Sequence, residues 1–99
     1  MPFYLFAPKL NGSTTVAVTG SSAVTSIPLG TGVLRIANTG ATVCYVEIGT
    51  GTPVAAVATS VPIQAGAVEW FSGLTAVAFS VATISGTTGT LIISRGDIL

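Results

Sequence analysis

Hydrophobic and polar positions alternate along most of this chain. Val77, Phe79 and Val81 share one face, with Ala78 and Ser80 on the other. Leu34 and Ile36 oppose Val33 and Arg35, and Cys44, Val46 and Ile48 oppose Val43, Tyr45 and Glu47. A period of two is the signature of a half-buried β-strand. No window carries apolar residues at i, i+3, i+4 and i+7 between capping residues, so no amphipathic helix is expected. Val, Ile and Thr dominate the runs, and their stiff β-branched side chains fit a pleated surface. Gly, Pro, Asn and Ser cut the pattern at short intervals. Strands are predicted at 15–19, 23–27, 33–37, 42–48, 67–71, 75–83 and 90–94, with shorter extended stretches at 54–59 and 61–63. Turns are predicted at 20–22, 28–32, 38–40, 49–53, 64–66, 72–73 and 86–89, and Arg95-Gly-Asp97 reads as a closing turn. About seven to eight short strands at this spacing predict an all-β fold, either jelly-roll-like or an antiparallel β-sandwich.

The first ten residues, Met1-Pro-Phe-Tyr-Leu-Phe-Ala-Pro-Lys-Leu10, depart from that pattern. Pro2 and Pro8 disfavour helix and central strand. The division expected is an extended N-terminal arm over 1–12 and a single β-sandwich domain over 13–99. Aromatic side chains in such an arm cost about 1.5–3 kcal/mol each when left in water. The arm therefore either folds back over the end of its own sandwich or docks on a neighbouring subunit through Phe3, Tyr4, Leu5 and Phe6.

Composition sharpens this. Of 99 residues, 49% are apolar and only 6% charged, with a net charge of zero. Ordinary soluble domains carry about 25% charged residues. The most apolar stretch, 73–93, is studded with Ser and Thr and broken by Gly86 and Gly89, unlike a spanning helix. Residues 1–10 lack the basic start of a secretory signal. A domain with so few charges is poorly guarded against self-association, which favours a surface covered by a partner.

Candidate chemistry is scarce. There is no His and one Cys, so a zinc site has too few ligands, and Cys44 has no imidazole to activate it. Cys44 reads as a small buried hydrophobe. Glu47 and Glu69 read as exposed, separate carboxylates and not as a glycosidase pair. The loops at 30–32 and 49–51 lack the lysine of a phosphate loop. Three scattered cations make no nucleic-acid footprint. Catalytic, cofactor and metal residues are therefore expected to be none. Trp70 and Phe71 adjoin, and on a strand they point to opposite faces: one joins the core, and the other is exposed, sits at a contact between subunits, or serves as a ligand-stacking platform like that of a carbohydrate-binding module.

Two segments carry a likeness. Val33-Leu-Arg-Ile-Ala-Asn-Thr-Gly40 followed by Ala41-Thr-Val-Cys-Tyr-Val-Glu-Ile-Gly49 resembles a strand, an Asn-Thr-Gly turn and a second strand ending in Gly in small virion proteins of tailed bacteriophages. Val61-Pro-Ile-Gln-Ala-Gly-Ala-Val-Glu-Trp-Phe71 resembles their Pro-x-x-x-Gly-x-x-Glu-x-Phe run, matched at Pro62, Gly66, Glu69 and Phe71, and the closing Gly-Thr-Leu-Ile-Ile pattern fits as well. The resemblance implies a capsid decoration, or cement, protein with a jelly-roll-like fold. Such a protein is made in the host cytoplasm and sits on the capsid surface of the virion. It would bind the major capsid protein and copies of itself, and neither nucleic acid, membrane nor a small-molecule substrate. The alternatives are a carbohydrate- or cell-surface-binding module, or another virion component such as a head fibre base, neck or tail part.

Overall fold

Eight strands follow one another: β1 Phe6–Val18, β2 Ala23–Ile27, β3 Gly32–Asn38, β4 Cys44–Gly49, β5 Val61–Ile63, β6 Val68–Leu74, β7 Phe79–Ser85 and β8 Gly89–Ile98. They come from a computed structural model that describes residues 6–27, 32–49, 52–74 and 79–98, and no helix occurs among the described residues. The pairing obeys a simple rule. β1 pairs with β8, β2 with β7, β3 with β6 and β4 with β5, all antiparallel. The chain is thus one long hairpin with its tip between β4 and β5. Successive pairs fall alternately into two sheets, and β3–β8 and β4–β7 pairings close them into the orders β1-β8-β3-β6 and β2-β7-β4-β5. That is the jelly-roll form of the β-sandwich.

The core lies between the sheets. Ile36, Ile63, Leu91, Ile93, Val18, Val46, Val81 and Cys44 are fully buried, with Phe71 and Ile48 packed against them. Leu91 and Ile93 lie two apart on β8, as the period of two requires.

Several local expectations are corrected. Arg95-Gly-Asp97 is not a turn: β8 continues through it, with Gly96 in register with Val33 and Pro8, and Asp97 with Ala7. Ser72-Gly73 is not a turn either, because β6 runs on to Leu74. Between the pairs Gly32–Leu74 and Leu34–Phe71, two residues of β6 oppose one of β3, which is a bulge. β1 begins at Phe6, well before the predicted strand at 15–19, and its register with β8 shifts between Pro8 and Ser13. The stretch 54–59 forms no strand. The Ser60 N–H donates to the Ala56 carbonyl, the Ala56 N–H donates to Ser60 Oγ, and the Ala55 N–H donates to Ser22 Oγ at 2.9 Å. These bonds lay the segment against the second sheet, where Ala55 and the β7 residue Ala82 are both buried. The predicted turns at 28–31 and 50–51, and the start of the predicted strand at 75–78, lie outside the described residues.

Asn38 fastens the corner where the β3–β6 pair passes into the β4–β5 pair. It is 2% exposed. Its Nδ2 donates to the Thr42 carbonyl at 2.8 Å and the Ile63 carbonyl at 2.9 Å, and its Oδ1 accepts from the Gly40 N–H at 3.0 Å. Its backbone N–H reaches the Ala67 carbonyl and its carbonyl takes the Gly66 N–H. One side chain therefore ties β3 of the first sheet to β5 of the second. Gly66, at φ 77°, makes the β5–β6 turn that this junction needs.

Candidate interaction surface

Glu47 and Glu69 are kept apart. Glu47 projects from β4 in the second sheet and accepts a hydrogen bond from Ser60 Oγ at 2.9 Å. Glu69 stands on β6 at the edge of the first sheet, in register with Ile36. Both are exposed, and they belong to different sheets. Among the described residues no three His, Cys, Asp or Glu side chains come together. Cys44 is fully buried on β4, and that burial pushes its thiol pKa up, which keeps the group neutral. A tripeptide inside a paired strand, with Gly96 buried, does not present Arg95 and Asp97 as the tip of a loop. Among the described residues no helix is long and apolar enough to cross a membrane.

Trp70 and Phe71 divide as strand geometry demands. Phe71 is half-buried, in register with Leu34, and packs against the core. Trp70 is 52% exposed on the outer face of the first sheet. Across that face runs the row Ser13, Ser94, Arg35, Trp70, one residue from each of β1, β8, β3 and β6. Ser13 and Ser94 share a hydrogen bond of 2.7 Å, and the Arg35 guanidinium lies 5.6 Å from the Trp70 ring centroid. This cation–π pair holds the indole in place at the edge of the sheet. Phe3, Tyr4 and Leu5 lie outside the described residues, and Phe6 is described through its backbone pairing with Ile98 alone.

Other exposed side chains were not legible as candidates from the sequence. Val68, two residues before Trp70, is 37% exposed, and Val61 on β5 is 47% exposed. β5 and β6 end their respective sheets and are joined by the 64–67 turn, so Val61, Val68 and Trp70 lie along one flank of the sandwich. Val57 sits in the segment just before β5 and is also exposed. The signal in the sequence was an apolar residue on each side of Gln64-Ala-Gly66, but only the sheet order shows that both strands are edges.

No family model, curated protein or solved structure matches the chain.

Proposed function

We propose that this chain is a structural subunit of a virus particle, a decoration protein that binds the outer shell and ties neighbouring capsomers together. The observation that carries the proposal is the flank of Val61, Val68 and Trp70 on a domain with only 6% charged residues. Exposed valine and tryptophan beside one another are suited to burial against a partner, and tryptophan is among the residues that dominate binding energy. A sparsely charged surface suits many repeated, short-range contacts on a symmetric shell, where modest single affinities multiply. The jelly roll is a fold used by capsid proteins, though also by lectins, so the fold alone does not decide the role. The likeness of 33–49 and 61–71 to small phage virion proteins points the same way.

The proposed partners are the major capsid protein and copies of this chain. The test is co-sedimentation of purified protein with expanded phage shells assembled without it. Wild-type protein should pellet with the shells, and Trp70→Ala should weaken that binding at least about tenfold, the loss typical of a central aromatic anchor. Absence of the chain from purified virions, or failure to bind any such shell, overturns the proposal. The Ser13–Ser94–Arg35–Trp70 row supports a second reading, a stacking platform for a sugar ring flanked by hydroxyls and a cation. Selective binding on a glycan array, lost with Trp70→Ala, would favour it over the shell.

A further inference from the structure

Four strands stand at the ends of the two sheets: β1 and β6 in one, β2 and β5 in the other. An edge strand invites pairing with another chain unless something blunts it. β5 is three residues long and contains Pro62, which has no N–H to offer. β6 carries Glu69 opposite the buried Ile36, a charge turned toward the rim of the core, and is bulged at Ser72-Gly73. β1 contains Pro8 and Lys9 and loses register before Ser13. β2, Ala23-Val-Thr-Ser-Ile27, has none of these devices. It has no charge and no proline, and each of its residues is in unbroken register with β7. No strand among the described residues pairs with its other edge.

Side chains beside that edge add a second observation. Val24 is 42% exposed and Val54 is 73% exposed, and the Ala55–Ser22 hydrogen bond brings Val54 alongside the start of β2. The distal part of β1 shares this flank, but its valines, Val16 and Val18, are buried, which leaves it Ser13, Thr14, Thr15 and Ala17 to offer.

We infer that β2 pairs antiparallel with β2 of a second copy about a two-fold axis at Thr25, joining two second sheets into one continuous sheet. The occupant follows from the strand itself. A two-fold seam is self-complementary, so the same surface must suit both sides. Here Thr25 faces Thr25, a favourable cross-strand pair, Val24 of one copy faces Ser26 of the other, and Ala23 faces Ile27. Neither side brings a charge, so none is left unpaired, whereas a charged strand would desolvate its charge against Val24 and Val54. Backbone hydrogen bonds supply the adhesion, as in other strand additions. This deepens the assembly reading by naming the seam between copies, and it rests on that reading for what the copies do together.

Sedimentation velocity on the free protein, with no shells present, keeps the two questions separate. At about 100 µM the wild-type chain should sediment as a dimer, because one short edge gives a weak association. Val24→Lys/Ser26→Lys sets lysines opposite one another across the seam and should weaken dimerisation at least about tenfold while leaving the melting temperature within a few degrees. Val57→Lys, elsewhere on the surface, should leave it unchanged. Amide hydrogen exchange over 23–27 in the wild type should slow as concentration rises, and this readout decides the matter even if the double variant unfolds. A wild-type chain that stays monomeric, a double variant that dimerises as well as wild type, or dissociation by Trp70→Lys instead overturns the seam. A wild-type chain that binds shells yet never dimerises overturns the seam alone and leaves the shell reading standing.

Discussion

Gly89 opens β8 directly against Cys44 of the second sheet. A Cβ built on it would lie 2.5 Å from Cys44 Sγ and 3.3 Å from Thr42 Oγ1. The Thr42 hydroxyl is itself engaged, donating to the Thr88 carbonyl. The glycine is therefore a requirement of space between β8 and β4 and not of an unusual backbone angle. Gly89→Ala should destabilise the fold by about 1–3 kcal/mol, as overpacking of a filled core does. Removing the sulfur should relieve most of that, so Gly89→Ala/Cys44→Ala should melt well above the sum of its two single variants, with a coupling of about 0.5–3 kcal/mol. Strict additivity in urea melts would place the clash at Thr42 or the backbone instead. Cys44 thus matters for its volume. Its burial, with a thiol held neutral, agrees with the small hydrophobe expected from the sequence.

On the scale of the strand, burial separates positions that composition treats alike. Ile36 on β3 and Val81 on β7 are fully buried in different sheets, while Thr88 lies exposed in the bend before β8. Aspartate at either buried site strands a carboxylate in an apolar core, at a cost well above about 3 kcal/mol. Thr88→Asp should change stability by no more than about 0.5 kcal/mol. Thermal melts of the three variants check this, and equal losses would mean that the inward face has been misassigned. Such faces were legible in the sequence because alternation is local: Leu34 with Ile36 and Cys44 with Val46 could be read without knowing their partners. What could not be read depended on partners far along the chain. Ser72-Gly73 resembles a turn, yet becomes a bulge because β3 continues beside it. Arg95-Gly-Asp97 resembles a turn, yet β1 and β3 flank it and draw it into the sheet. Residues 54–59 have β-branched valines but pair with no strand, and the N–H groups of Ala55 and Ala56 find Ser22 Oγ and Ser60 Oγ instead. Trp70 was legible as the exposed member of its pair or the buried one, but only the pairing of Leu34 with Phe71 decides which.

The nested pairing of the whole molecule implies an order of assembly. Bringing β4 to β5 closes a short loop, and bringing β1 to β8 closes nearly the whole chain, so the entropy of closure grows from the tip of the hairpin outward. A fold dominated by such distant pairings should be slow, on the order of milliseconds to seconds. Its nucleus should sit in the inner pairs, where Asn38 at the end of β3 joins the 39–43 turn, β5 and the 64–67 turn before the outer strands arrive. Asn38→Ala leaves the half-buried Thr42 carbonyl and the buried Ile63 carbonyl without that donor, a loss of about 1–3 kcal/mol. Most of it should appear as slower folding, with a φ-value above about 0.5. Val16 lies on β1 in register with Leu91, in the outermost pair. Val16→Ala should cost at least about 1 kcal/mol, expressed almost wholly as faster unfolding, with φ below about 0.3. Stopped-flow chevrons of the two variants in urea read this directly. If Val16→Ala slowed folding while Asn38→Ala left it untouched, closure would begin from the β1–β8 pair, and the wrapped-hairpin order would be reversed.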